Sequence, residues 1–410
     1  MAAFREQFEI PSGMKTWSIA LIAVGIVTFI IGLITKGISS DEQQRAIFIG
    51  TLMYNSIFWM LICNASMFFI CATVLAMGGW DAVIRRIPEA ISTLVPIFGS
   101  ITLIIFVYII FIDHNHIVYP WIDKTLVANN PGLSGKSGFL NPVFFFVWTI
   151  LAIGLWSLLG SRMRRLSSEA DEGPMDLEKG KSFIWKNTVT AGMFIVWFTL
   201  TIGSTVPWLW MMSIDPLWYS TMYSWYTFAS SFVSGMSLIA LWLIYLKNKG
   251  YLKYANQEHL HNLGIFMFAF SIFWTYLWFS QYMLIWYGNI PEETIYFKHR
   301  VQGPYKGIFF MNLIINFVCP ILLLMKRAPK RNYTWMTFLA VLIVFGHWID
   351  FYQMIMGSIR KYDATLTWMD FGIAALFIGI MIHFVGKALA KKPLVPEYNP
   401  YLKESLIHHT

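Results

Sequence analysis

The chain has 410 residues, 57% of them hydrophobic, 18% aromatic and only 13% charged, a composition that excludes a soluble enzyme or binding domain and marks a polytopic membrane protein. Its net charge of +8 reflects the sidedness of membrane connections and calls for no nucleic acid. The three cysteines, Cys63, Cys71 and Cys319, lie inside apolar runs, which excludes a disulfide framework and a Cys-x-x-Cys-His haem attachment.

The first apolar run spans 17–35, behind a polar stretch carrying Arg5, Glu6, Glu9 and Lys15. It is longer than the apolar region of a signal peptide and reads as a retained helix. Further runs of spanning length fall at 46–77, 90–111, 139–160, 188–212, 217–246, 260–287, 306–325, 333–357 and 366–387. The fold class is therefore all-α integral membrane with ten transmembrane helices. The second and sixth runs are long enough to require tilt or projection beyond the bilayer.

Tails and connections on one side hold 21 of the 30 Lys and Arg, so both termini are predicted to face the cytoplasm. On that side Arg162-Met163-Arg164-Arg165 lies within reach of anionic lipid headgroups. There too the 161–187 connection, with SSEADEGPMDLEKGK, has the composition of a loop. The longest connection on the opposite side is 113–138. Neither is long enough to form a catalytic domain.

A weak internal repeat accompanies this pattern. Met53-Tyr54-Asn55-Ser56 matches Met222-Tyr223-Ser224-Trp225, and Glu89…Leu94 matches Glu258…Leu263, both 169 residues on; Asn141 and Asn312 are 171 apart. An offset of four helices preserves orientation, so helices 2–5 and 6–9 are expected as two parallel four-helix bundles with helices 1 and 10 flanking them. The expected units are 1–45 (N-terminal tail and helix 1), 46–212 (first bundle), 213–357 (second bundle) and 358–410 (helix 10 and the C-terminal tail).

Ionisable residues within the spans carry the functional signal, because such groups are costly in hydrocarbon and default to ligand or proton pathways. His347 and Asp350 stand three residues apart in the ninth helix, hence on one face. The seventh span carries no charge between Asn262 and Glu292, yet Ser271, Thr275 and Tyr282 recur in it at intervals of four and seven, a stripe of hydroxyls. These five residues form a candidate proton path, with Glu258 and His261 at its cytoplasmic mouth beside His259. The plainer reading is a set of hydrogen bonds that glue helices together. His383, near Lys387, reads as structural. Asp113, His114 and His116 lack a fourth ligand and read as an interface cluster, so no metal is expected. The exit of the seventh span, Trp286 and Tyr287 followed by Pro291, Glu292 and Glu293, supplies headgroup-depth aromatics and the start of a short helix.

The FSQYMLIWYGNIPEET exit at 279–294, the GHWIDFYQMIM of 346–356 and the tail Pro393-Leu394-Val395-Pro396…Asn399-Pro400…Leu402-Lys403-Glu404-Ser405-Leu406 give the chain a resemblance. Over essentially its whole length it resembles the ActF subunits of bacterial alternative complex III, relatives of the NrfD and polysulfide reductase membrane anchors. The resemblance implies a ten-helix subunit of a quinol:electron-acceptor oxidoreductase of the bacterial inner membrane. Menaquinol is then the substrate of the complex, and haem c and iron–sulfur clusters sit on a multihaem cytochrome and an iron–sulfur protein. Of the family's two paralogous anchors, the one adjoining the iron–sulfur subunit is the better candidate for quinol oxidation, and this chain resembles the other. No catalytic residue, cofactor or metal is therefore expected in it. Its expected contacts are the paralogous anchor, lipids and the haem and cluster subunits, with Trp286, Tyr287, Glu292 and Glu293 as part of the docking surface.

Two readings from other classes stay open on the residues alone: a stand-alone secondary transporter, and a b-haem protein using His347 and His383. The topology is directly testable. A cysteine at Asn289 is expected to react with a membrane-impermeant maleimide in intact spheroplasts; labelling only after permeabilisation would reverse the orientation.

Overall fold

The computed structural model describes residues 6–409, which fold into helices with no strand among them. Arg5, counted above with the N-terminal tail, lies outside the described residues. Ten helices are long and apolar enough to cross a membrane: α1 Ser12–Gly37, α2 Glu42–Leu75, α3 Arg86–Asp113, α4 Pro142–Asp171, α5 Leu177–Ile214, α6 Met222–Asn248, α7 Gln257–Gly288, α8 Lys306–Leu324, α9 Tyr333–Ile359 and α10 Trp368–Ala390. All ten expected spans are present.

Local chemistry sets many of the starts. Asp41 accepts the amide of Gln43 at 2.9 Å ahead of α2, and Asn141 caps α4 with Pro142 in its first turn. Asn332 caps α9, and Asn256 with His259 forms a capping box on α7. At the end of α7, Asn289 takes a left-handed conformation and Pro291 opens the expected short helix, Pro291–Val301.

One expectation fails at 161–187. Only 172–176 of the polar stretch is a loop: α4 continues to Asp171 and α5 begins at Leu177, capped by Asp176. Hydrogen bonding within a helix does not stop where the apolar run ends, and the charged residues sit on helix ends projecting from the bilayer. Short helices likewise occupy the 113–138 connection, at Lys124–Asn129 and Pro131–Ser134.

Helix neighbours repeat in the order the internal repeat suggests. In the first set α2 packs on α3, α3 on α4, α4 on α5, and α5 returns to α2. In the second, α6, α7, α8 and α9 close the same ring, while α2 also packs on α6 and α9. These central helices are the buried ones: 83% of the spanning window is buried in α2, 89% in α6 and 72% in α9, against 22% in α1. Without a hydrophobic drive between helices in lipid, small residues set how closely they approach. A Cβ on Gly235 of α6 would come within 3.1 Å of Ala65 Cβ and 3.3 Å of the Ile62 carbonyl on α2, so glycine relieves a tight approach of these backbones.

Helices α1 and α10 pack along one another, outside both rings. α10 is tied to α2 through a buried carboxylate at its first turn. Asp370 accepts from Thr51 and Tyr54, each at 3.1 Å, and from the Thr367 amide and hydroxyl at 2.8 and 2.7 Å. Both tails reach the same face. Gln7 bonds the Ala390 carbonyl at 3.0 Å, and the short C-terminal helix Leu402–Leu406 places Ser405 Oγ 2.6 Å from the Trp80 carbonyl. This side is called the termini face below.

Candidate functional site

α9 turns His347 and Asp350 toward α6 and α7, and all three helices contribute to what surrounds them. Tyr226 and Ser230, one turn apart on α6, and Trp274 on α7 converge on the Asp350 carboxylate. The Tyr226 hydroxyl donates to Oδ1. Ser230 Oγ lies 3.1 Å and Trp274 Nε1 3.0 Å from Oδ2. Ser230 Oγ is also 2.9 Å from His347 Nδ1, whereas Nδ1 and Asp350 Oδ2 stand 3.8 Å apart. The serine hydroxyl therefore bridges the two ionisable groups.

Proton bookkeeping fixes what that bridge can do. Ser230 has one hydrogen to donate. If it goes to Asp350, then His347 Nδ1 carries a hydrogen and donates to Ser230, giving an unbroken chain Nδ1–H···Oγ–H···Oδ2. Its other nitrogen, Nε2, is buried with no hydrogen-bond partner among the described residues. The indole of Trp274 packs edge-on against the imidazole, ring centres 5.3 Å apart, and holds it in place.

On its far side the carboxylate borders a cavity of about 20 Å³, lined by Tyr226, Gln281, Tyr296, Arg300, Phe309 and Gln353 among others. That is enough for one water, and Gln281 Nε2, buried and without a partner, points to polar content there. Tyr296 and Arg300 are also walls of a second cavity, about 880 Å³, built from connecting segments at the face opposite the termini. Arg300 is clamped between the two. It donates to the Tyr296 carbonyl at 3.0 Å, the Gln353 carbonyl at 3.2 Å and Ser358 Oγ at 3.4 Å. Its guanidinium lies 3.4 Å above the Tyr296 ring, which stacks on Trp218 at 3.9 Å.

The outer cavity is polar at its rim. Burial, with Lys361 and Arg300 nearby, lowers the pKa of His299, so this rim histidine is neutral at pH 7. Burial alone would raise the Asp363 carboxyl, but the Thr365 hydroxyl and amide and the Arg360 guanidinium outweigh it and hold the pKa at about 2. Asp215 pairs with Lys361 at 3.4 Å across the same rim.

Other candidates lie elsewhere. Ser271 is buried with its hydroxyl unpartnered, Thr275 bonds back to the Ser271 carbonyl at 2.8 Å, and Tyr282 packs on Phe297 and Phe309. None of the three bonds Asp350, so the hydroxyl stripe of α7 is not its partner; α6 is. Glu258 pairs with Arg331 and, at 3.6 Å, with Arg327 at the termini face. It is sixteen residues from Trp274, about 24 Å along α7, and His261 is within a turn of it, so the two are not continuous with the carboxylate. His383 meets Ser18 of α1 at 3.4 Å and is not brought to His347. Asp113 is an ion-pair partner of Arg45 at 2.6 Å. Trp286 and Tyr287 are 66% and 84% exposed, free to meet a partner or lipid, and Glu292 lines the outer cavity.

Sequence reasoning missed Tyr226, Ser230, Trp274, Gln281 and Arg300. The available signal was α6 itself, whose hydroxyl-rich sequence places Tyr226, Ser230 and Ser234 at intervals of four on one face. No protein-family model matches the chain, and no curated protein matches it.

If Ser230 is the bridge, Ser230→Ala leaves His347 Nδ1 without a partner and strips a donor from Asp350. A loss of about 1–2 kcal/mol is expected, read as a lower melting temperature in detergent. Thr275→Ala, whose hydroxyl serves only its own helix, is expected to melt close to the parent; equal shifts for the two variants would contradict the assignment.

Proposed function

We propose that this chain is an integral membrane subunit of a respiratory quinol:electron-acceptor oxidoreductase and that its own contribution is a proton path through α6, α7 and α9. The resemblance carried by the α7 exit, the α9 motif and the C-terminal tail supports the first part. The observation that carries the second is the continuity from His347 through Ser230 and Asp350 to a water-sized cavity and on to the Tyr296 and Arg300 wall of the outer cavity.

In this reading the termini face is cytoplasmic and the outer cavity opens outside the bacterial inner membrane, in line with the excess of Lys and Arg at the termini face. Haem c and iron–sulfur clusters belong to the multihaem and iron–sulfur partners, menaquinol is oxidised by the complex, and the paralogous anchor is the neighbour in the membrane. Quinol oxidation releases protons, and movement along the path is a pair of hops. A proton taken up at His347 Nε2 lets Nδ1 give its own to Ser230 Oγ as Ser230 gives its own to Asp350 Oδ2; the carboxyl then passes a proton to water in the small cavity.

Asp350→Asn keeps the shape and one acceptor oxygen but removes the titratable group. The assembled complex carrying it is expected to oxidise quinol and to lose proton movement in proteoliposomes. Normal proton movement by the assembled variant would overturn the proposal, and failure to assemble would assign Asp350 to the framework instead.

A further inference from the structure

A second large cavity, about 1110 Å³, has no part in the proton path. It lies on the lipid side of the molecule, between the α1 and α10 pair and the α6 and α9 edge of the second ring. Its walls are almost wholly apolar, and its polar groups gather at one end. Asn248, the last residue of α6, and Lys249 just past it stand there with Tyr245 and with the first turn of α1. That turn has no side-chain cap: Pro11 precedes it and Gly13 has open space where a Cβ would be. The amides of Ser12, Gly13 and Met14 precede the first hydrogen bond of the helix, which Lys15 makes to the Pro11 carbonyl at 3.2 Å. A lysine and a bare helix N-terminus thus share the mouth of an apolar groove at the termini face, a combination suited to a phosphate.

The length of the groove identifies the occupant. Its walls run from 238 to 248 on α6, from 337 to 348 on α9 and from 371 to 382 on α10. At 1.5 Å per residue each wall covers about 15–17 Å, the depth of one leaflet, since the hydrocarbon core is about 30 Å thick. A partner's transmembrane helix would need twice that length. A second copy of the chain would bring a convex, helix-lined surface to a cleft one leaflet deep. An uncharged isoprenoid headgroup gains nothing from Lys249. Small and branched residues on α9 and α10, such as Val341, Ala374 and Ala375, keep the groove wide. At its inner end Trp59, 3% exposed, has an indole N–H without an acceptor among the described residues.

We infer that this groove binds one phospholipid of the termini-face leaflet, with a net anionic headgroup held between Lys249 and the α1 N-terminus and its acyl chains laid between α10 and α9. The lipid then fills the gap beside the α6 and α9 helices and fastens α1 and α10, which otherwise touch the rings mainly through α2 and α3.

The test uses the full chain, delipidated in detergent and titrated by native mass spectrometry with dioleoyl phosphatidylglycerol or with dioleoyl phosphatidylcholine. One tightly retained phosphatidylglycerol is expected, bound more strongly than phosphatidylcholine. Lys249→Ala, an exposed change that leaves the fold intact, is expected to weaken phosphatidylglycerol binding about fivefold and leave phosphatidylcholine unchanged. Ala375→Trp, which fills the groove, is expected to abolish tight binding of both. Equal affinity for the two lipids, no effect of Lys249→Ala, undiminished binding by Ala375→Trp, or displacement of the lipid by an equimolar menaquinone would each overturn the inference.

Discussion

A carboxylate taken out of water into the middle of a helical bundle costs several kcal/mol unless donors replace the lost hydration, and the packing of α6, α7 and α9 meets that requirement at Asp350. Tyr226, Ser230 and Trp274 come from two different helices, so the carboxylate fixes rotation and depth of both relative to α9. The small side chains of α6 make the approach close enough. Thr227, Ser231, Ser234 and Ser237 each return their hydroxyl to a carbonyl one turn back, which leaves Ser230 as the hydroxyl of that series that also reaches across to α9. Hydrogen bonds between helices in a membrane are individually modest, but here three converge on one charge.

Another buried carboxylate shows what a purely structural role looks like. Asp370 has four donors at 2.7–3.1 Å from Thr51, Tyr54 and Thr367 and closes a capping box at the start of α10. Asp350 differs on one point: it borders a small cavity whose Tyr296 and Arg300 wall also lines the outer cavity. The repeat also has a physical counterpart at the termini face. Glu89 pairs with Arg86 at 2.8 Å at the start of α3, and Glu258, 169 residues on, pairs with Arg331 and Arg327 at the start of α7. In the second ring the pairs join α7 to the segment between α8 and α9; in the first, Glu89 and Arg86 share one helix and it is Arg86 that reaches Asp171 of α4, at 2.5 Å.

Much of this was legible in the sequence because hydrocarbon imposes a length and a polarity on every span. All ten helices, the shared face of His347 and Asp350 and the short helix at Pro291 follow from those rules. The partners of Asp350 do not, because which helix faces α9, and at what rotation, depends on the whole ring; the conspicuous hydroxyls of α7 drew attention from the serines of α6. Gln281 and Arg300 become visible only once the 289–305 connection folds back over the bundle and brings Arg300 against Gln353. The helical course of 161–187 was hidden for a different reason, since polar composition outside the bilayer is shared by loops and by projecting helix ends.

The central claim is that Asp350 exchanges protons with the face opposite the termini. Infrared difference spectroscopy of the oriented, reconstituted protein, with pH set separately on the two sides, reads this directly through the carboxyl band that disappears in Asp350→Asn. The account predicts that this band follows the pH of the outer-cavity side and ignores that of the termini face. A band that follows the termini face, or neither side, would contradict it.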